Sequence, residues 1–463
     1  MDGPNPQIAT ALTALTALLG ERLDVAVETR ERHAADASYH APQPPQGVAY
    51  PNTVDEIAQI VCICSEQHVP IIPFGTGTAV EGGIVALHGG LCVDLSRMNR
   101  ILRVSAADMD ATVEAGVTRM QLNKYLAEHD TGLHFPVDPG ADASLGGMAA
   151  TRASGSAAVG YGTMRENVLG LKAVFANGSI VEVGGRARKS SAGYDLTRLL
   201  VGSEGTLALI SEVTLRLARQ PAAVSAAVCP FADIDSAVAA AIDILNGGIP
   251  IARLELLDEV QMQACNLYSN LSYKAAPTLF FEFHGSPNGV VEQAQNAEGI
   301  VSSHGGGPFN WATETDERDC LWQARYDAYH ASRALRPGSA GYVTDVCVPI
   351  SALANCISQT KTALADLTFP TPLFGHVGDG NFHVVCLIEP GNDEELCQVR
   401  RLGEHIIELA LAAGGTCTGE HGIGLGKIAA LESECGAGVD IMRRIKQALD
   451  PGHIMNPGKV LRP

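Results

Sequence analysis

The sequence predicts an α+β chain with more than one domain. Three observations carry this expectation. The chain has 463 residues, more than one domain usually holds. Residues 54–83 run helix, strand and glycine-rich loop in that order. Residues 165–217 hold several short apolar runs with a hairpin signal between two of them.

The N-terminal stretch MDGPNPQIATALTALTALLGERLD has no basic leading region, and threonines interrupt its Ala/Leu run. That pattern reads as an amphipathic helix rather than a secretory leader. No apolar run reaches the length of a membrane span. Residues 54–68 show helical spacing, and VPIIPF after them reads as a strand. VLGLKAVFA and SIVEV flank Asn177-Gly178, a favoured two-residue turn. Composition shifts at Gln220-Pro221. Beyond it come an Ala-rich helix at 233–248, the strands IARLELLD and TLFFEFHG, and a long amphipathic helix at 394–414. The tail 436–463 adds one helix and the Pro/Gly-rich return DPGHIMNPGKVL. The expected divisions are an N-terminal helical segment (1–44), a second domain (45–220), a third (221–425) and a C-terminal helix and tail (426–463).

Thirty-two basic residues stand against 51 acidic ones, a net charge of −19. Such a surface repels nucleic acid and anionic lipid, so neither is an expected partner. An anionic substrate would then need a local basic group. Twelve cysteines are scattered without a CxxC pair or a disulfide framework. Reduced thiols fit an intracellular protein, and a cytoplasmic location is the expectation. A homodimer is compatible with these features.

Three segments read as walls for a ligand. Residues 73–83, PFGTGTAVEGG, carry Gly75, Gly77, Gly82 and Gly83 with Thr76 and Thr78. Backbone N–H groups in such a loop can face a diphosphate. Val80 breaks the Rossmann fingerprint, and Gly83 stands where a Walker loop needs Lys. A plain structural turn is the competing reading. Residues 136–163, PVDPGADASLGGMAATRASGSAAVGYGT, are nearly all small. They suit an extended wall against a flat ligand better than a core segment; a flexible linker is the alternative. The third segment, 202–206, reads GSEGT and precedes the strand-like LALISEV.

Two further motifs suit metal chemistry. In Gly375-His-Val-Gly-Asp-Gly-Asn-Phe-His383, a turn at Asp379-Gly380 would set His376 opposite His383. Opposed residues share a sheet face with Cβ atoms roughly 4.5–5.5 Å apart. Two imidazoles so placed can hold one divalent ion, though two polar histidines at a hairpin mouth would look the same. In GEHGIGLGK (419–427), Glu420 could complete a set of two histidines and a carboxylate. Adjacent extended residues point to opposite sides, so His421 could face a substrate as a base. Arg325 closes the segment LWQAR (321–325); such an arginine is most often solvated or ion-paired.

These segments together resemble the vanillyl-alcohol oxidase superfamily. The branch they are most similar to is the FAD-linked D-lactate dehydrogenase and glycolate oxidase flavin-subunit family, from about residue 45 to the C-terminus. The resemblance implies a two-subdomain FAD-binding domain and an α/β substrate (cap) domain with an antiparallel sheet. It implies FAD with its diphosphate on the first loop, near Pro73, Gly75, Thr76, Gly77, Thr78, Gly82 and Gly83. Pro139, Gly140, Ser144, Gly146, Gly147, Ala150, Thr151, Ala153 and Gly155 would line the rest with Glu204, Gly205, Ile210 and Asn456. Some relatives attach FAD through a histidine near the first loop; this loop has none, so noncovalent FAD is expected. The resemblance further implies one divalent metal, zinc or manganese, on His376, His383 and Glu420. It makes His421 the base and Arg325 the clamp for a substrate carboxylate, a role suited to a planar guanidinium.

The implied reaction is oxidation of a small D-2-hydroxy acid to the 2-keto acid. It would proceed by metal-assisted proton abstraction and hydride transfer to flavin N5. The electrons would pass to a cytochrome, a quinone or an electron-transfer flavoprotein. Related D-2-hydroxyglutarate dehydrogenases carry polar residues where this chain has Val343 and Val385. D-lactate is therefore preferred, with glycolate and D-2-hydroxyglutarate as alternatives. A non-redox synthase of the ether-lipid type and a non-catalytic FAD binder are the readings from other classes.

Overall fold

The computed structural model describes residues 6–462. The chain divides into two compact units. The first comprises Met1–Ser154, Thr163–Gln220 and Glu420–Pro463; the second comprises Gly155–Gly162 and Pro221–Gly419.

The first unit contains two main sheets. One has four strands in the order 23–24, 47–49, 91–94, 71–74, with the last three strands parallel. The other is antiparallel, in the order 101–105, 110–114, 208–216, 168–175, 180–184. The helix Val54–Glu66 starts where Thr53 accepts the Glu56 N–H, and Asp55 and Glu56 lie at its positive end. Its buried Ile57, Ile60, Val61 and Cys64 follow one helical face. The helix Pro6–Leu19 buries Ile8, Ala11, Leu15 and Leu19 in the same core. The segment expected to stand apart as 1–44 is thus built into the first unit; its residues 1–5 lie outside the described ones.

The Asn177-Gly178 signal does mark a hairpin, but its connection is longer than two residues. Val174 pairs with Ile180, and the Gly178 N–H donates to the Phe175 carbonyl with Gly178 at φ +78.

The second unit is organised on one antiparallel eight-stranded sheet. Its order is 310–312, 223–230, 278–285, 251–257, 373–375, 381–388, 340–343, with 346–347 also pairing with 381–388. The strand Asn381–Ile388 is buried along its whole length. Phe382, Val384, Cys386 and Ile388 enter one core, shared with the helices Ile234–Asn246 and Asp393–Ala412. Val385 and Leu387 enter another, with Trp322 and Phe374. Strand alternation puts His383 on this second face. The helix Thr315–Tyr326 is anchored there by the Trp322 indole N–H, which donates to the Phe281 carbonyl at 3.1 Å.

Two sequence expectations need correction. Residues 139–163 do not form one extended wall. Ser144 caps a helix, Leu145–Thr151, by accepting the Gly147 N–H, and 155–162 pass into the second unit, with a short helix at Ala158–Tyr161. Small residues permit this because Gly146 packs directly on Ala115, and Gly160 on the backbone of Ala252. The return to the first unit comes at Glu420, ahead of the boundary expected after residue 425.

Candidate active site

The first unit holds a cleft enclosing about 1340 Å³ when the solvent-filled space of its open mouth is included. Backbone forms much of its wall. A Cβ on Gly75 would strike the Ser144 hydroxyl, one on Gly146 would strike Ala115, and one on Gly205 would strike Pro73. Gly77 turns at φ +70 over the Phe74 ring. Among the described residues, no protein acceptor takes the backbone N–H groups of Gly75, Thr76, Gly77 or Thr78, all of which line the cleft. A run of N–H donors lining a cavity fits a dinucleotide diphosphate.

The cleft brings together Pro73, Gly75, Thr76, Gly77, Thr78 and Gly83 from the first loop. Pro139, Ser144, Gly146, Gly147, Ala150, Thr151 and Ala153 line it from the second segment. Glu204, Gly205, Ile210 and Asn456 complete the set that the sequence suggested. Gly82, Gly140 and Gly155 are not part of its lining, and Gly155 belongs to the second unit. Gly82 instead turns at φ +74 against His40 and Leu425. Phe74, Glu81 and Met148 also line the cleft; they lie within the expected segments but were not singled out, and Ala115 was missed altogether. Ala115 carries no chemical signal: it lies far from the loops in sequence and matters only because Gly146 rests on it.

Asn456 fastens two of these walls together. Its side-chain amide donates to the Gly83 carbonyl at 3.0 Å and to the Glu204 carbonyl at 2.8 Å. Glu204 accepts the N–H groups of Ile423 and Gly424 at 2.7 and 2.8 Å. Burial pushes the Glu204 carboxyl above its usual pKa, against those N–H groups and the Lys459 and Lys427 charges. The loop after Glu420 is thereby held to the wall. Gly424 turns at φ +47 where a Cβ would strike the Glu81 carbonyl, and the Leu425 N–H donates to that carbonyl at 2.7 Å. Glu420 and His421 both line the cleft, with Glu420 Oε1 and His421 Nε2 3.8 Å apart. This departs from the expectation that they point to opposite sides. The backbone bends at 419–421 instead of running extended, so strand alternation does not apply.

The second unit gathers another polar group on its sheet. Glu255, on the strand Ile251–Leu257, is fully buried and accepts from Arg325 Nε at 2.7 Å. Its other oxygen lies 2.7 Å from His376 Nδ1. Burial alone would raise the Glu255 pKa; the charges of His376 and Arg325 outweigh it and hold the carboxyl below the usual value. Among the described residues, the terminal nitrogens of Arg325 donate to none, so that end of the fork can meet a carboxylate. The sequence reading missed Glu255. Its only signal was an acidic residue set among leucines in IARLELLD.

His376 and His383 come together, but by a different hairpin from the one expected. Phe374 pairs with His383, so His376 would fall opposite Asn381. The His376 carbonyl accepts the N–H groups of Asp379 and Asn381, and only Gly380 of the Asp-Gly pair has positive φ. A two-residue type I′ turn needs positive φ at both central positions. The register is displaced by two residues, and an even displacement keeps each side chain on its face. The two rings therefore still meet, with centroids 5.5 Å apart. His383 Nδ1 lies 3.1 Å from the Thr344 carbonyl. Carboxylate and carbonyl oxygens accept only, so both Nδ1 atoms carry hydrogen and Nε2 carries the lone pair on each neutral ring. Two such imidazoles fit a divalent metal of borderline softness.

A cleft lined by backbone N–H groups, and in the next unit a buried glutamate that joins a half-buried arginine to a buried histidine, define a cofactor-dependent enzyme of the vanillyl-alcohol oxidase fold. The solved structure of p-cresol methylhydroxylase with substrate bound shares that fold: TM-score 0.82 at 15% identity, covering 99% of this chain and 97% of the other. Residues 45–184 match the model described as FAD binding domain, and residues 220–460 match that described as FAD linked oxidases, C-terminal domain. The chain belongs to the FAD-linked oxidase family. It is 51% identical to the probable mitochondrial D-lactate dehydrogenase of Danio rerio, over 95% of this chain and 89% of that one. It is 44% identical to the mitochondrial D-lactate dehydrogenase [cytochrome] of Arabidopsis thaliana, over 98% and 80%.

Those names correct the cytoplasmic expectation, since both relatives are mitochondrial proteins. That expectation rested on thiols. All twelve cysteines are free, but reduced thiols report a reducing environment and do not separate one such compartment from another.

Proposed function

We propose that this chain oxidises D-lactate to pyruvate, with noncovalently bound FAD as the first electron acceptor and a cytochrome as the second. The names of its relatives support the substrate and the acceptor. The observation that carries the assignment is the buried group around Glu255, which presents one arginine fork and one metal-ready imidazole from a single carboxylate.

The terminal nitrogens of Arg325 bind the substrate carboxylate. Glu255 holds the other edge of that guanidinium and so fixes its plane. His376, His383 and Glu420 are the proposed ligands of zinc or manganese, and His421 takes the proton of the C2 hydroxyl. A bound divalent metal would lower the pKa of that hydroxyl. Bound FAD would accept the C2 hydride at N5. The glycines let the backbone around the cleft approach the cofactor closely.

Val343 and Val385 support a monocarboxylate. They face each other directly across the strands 340–343 and 381–388, and Val385 lies two residues from His383 on the same face. A second carboxylate placed there would be desolvated without a partner, at a cost of several kcal/mol.

The test is anaerobic addition of D-lactate to the purified yellow protein. The flavin absorbance should bleach with D-lactate and stay unchanged with L-lactate. Acid precipitation should release the flavin into the supernatant. The assignment fails if D-2-hydroxyglutarate or glycolate gives the higher kcat/KM by more than about tenfold, which is roughly 1.4 kcal/mol in transition-state binding.

A further inference from the structure

We propose that Glu255 is a positioning residue shared by the substrate clamp and the metal ligand, so that the two sites compete for its charge. The inference rests on the reading of His376 as a ligand and of Arg325 as a clamp. It adds that neither acts independently.

The geometry is specific. Glu255 Oε2 accepts from Arg325 Nε at 2.7 Å, while Oε1 and Oε2 lie 2.7 and 2.9 Å from His376 Nδ1. The carboxylate is fully buried, with none of its side chain exposed to solvent. Its strand neighbours Leu254, Leu256 and Leu257 are buried apolar residues, which leaves the arginine and the histidine as the groups that compensate it. The three residues come from three elements: Glu255 from a strand, Arg325 from the helix Thr315–Tyr326 and His376 from the start of the hairpin loop after Leu373–Gly375.

Consequences of opposite sign follow. A carboxylate that accepts from Nδ1 raises the basicity of the ring and strengthens Nε2 as a ligand. The Arg325 guanidinium draws on the same carboxylate and limits that effect. Removing the carboxylate should weaken metal binding. Removing the guanidinium should strengthen it, although Arg325 is not a ligand. Because both partners share one carboxylate, a change at His376 should also alter how Glu255 holds Arg325 and hence carboxylate binding there. For the two ligands themselves, any effect of metal on carboxylate affinity must be matched by an equal effect of carboxylate on metal affinity.

The test uses the FAD-loaded full chain and three variants, Glu255→Gln, Arg325→Gln and His376→Gln. Zinc affinity is measured by competition with a chelator. Propionate, a carboxylate without the C2 hydroxyl, reports the clamp by calorimetry. Zinc affinity should fall about 10–100-fold in Glu255→Gln and rise in Arg325→Gln. Propionate affinity should fall in Glu255→Gln and change in His376→Gln. Generic structural damage would weaken zinc binding in both of the first two variants, so a fall in Arg325→Gln overturns the proposal. So does unchanged propionate affinity in His376→Gln, a measurement that stands even if Glu255→Gln does not fold. If the wild-type chain binds no zinc or manganese, the ligand reading falls. Propionate then decides alone: retained affinity in Glu255→Gln overturns the positioning role, and lost affinity supports it. A wild-type chain inert to D-lactate would sink the functional assignment without touching these binding measurements.

Discussion

Neighbouring residues in one loop are assigned different work at Glu420 and His421. Both line the cleft, so position does not separate them and chemistry must. Replacing His421 with alanine removes the proposed base and leaves the proposed ligands intact. Turnover should fall about 10²–10⁴-fold while FAD and metal contents stay at wild-type levels. Glu420→Ala should lose metal and activity together; metal analysis alongside the flavin spectrum checks both. The roles are exchanged if His421→Ala loses the metal and Glu420→Ala keeps it. Arg325→Lys keeps a positive charge but loses both the planar fork and the Nε bond to Glu255. Its cost should appear in kcat as well as KM, because a mobile clamp misorients the substrate. Arginine and both histidines stood out in the sequence because motifs flank them. Glu255 did not, since its partners lie 70 and 121 residues away in the chain. Nothing local marks a leucine-flanked glutamate as the centre of a network.

Elements were legible where periodicity or capping dictated them, and less so where a loop closed on distant backbone. The helices at 54–66 and 393–412 follow from their buried stripes and from Thr53 and Asn392 as caps. The hairpin at 373–388 was visible as a hairpin, yet its register was read two residues off. Asp-Gly was taken as the central pair of the turn, whereas Gly380 alone turns at φ +81, with the Val348 carbonyl where a Cβ would go. No local rule reports that carbonyl. Gly391 offers a matched control, because it has the same φ of +81 but nothing within 4 Å of an added Cβ. Gly391→Ala should cost only the backbone strain of a left-handed residue, roughly 1 kcal/mol. Gly380→Ala should cost clearly more, up to about 3 kcal/mol, and should shift the histidine pair. Urea unfolding midpoints at constant m would show the difference. Equal costs would mean that the approach to Val348 is not what fixes the turn.

At the scale of the whole molecule, the chain order hides the assembly of each unit. The second unit takes in residues 155–162 from a segment whose flanks belong to the first, and the first recovers the tail from Glu420 onward. The boundary at Gln220-Pro221 had a compositional mark; these crossings had none. The tail is instead tied down by buried lysines that look in sequence like ordinary surface charges. Lys446 donates to the Thr206 and Met455 carbonyls at 2.7 Å each, and Lys459 donates to the Val85 carbonyl at 2.6 Å. Burial lowers the Lys459 pKa to about 8, with Glu204 and Asp36 opposing the shift. An unfolded lysine titrates near 10.4. Between those two values the unfolded chain binds more protons than the folded one, so stability from this residue increases with pH. Below about pH 8 both states are protonated, and the full cost of the buried charge is present. Lys459→Met removes the titration while keeping an unbranched side chain. The stability of the wild type minus that of the variant should be flat from pH 6 to 7. It should then climb between roughly pH 8 and 10, read from urea unfolding with FAD bound at saturation. A difference that stays flat to pH 10 would mean that Lys459 keeps its proton in the folded chain, and that the Glu204 carboxylate holds it charged against burial.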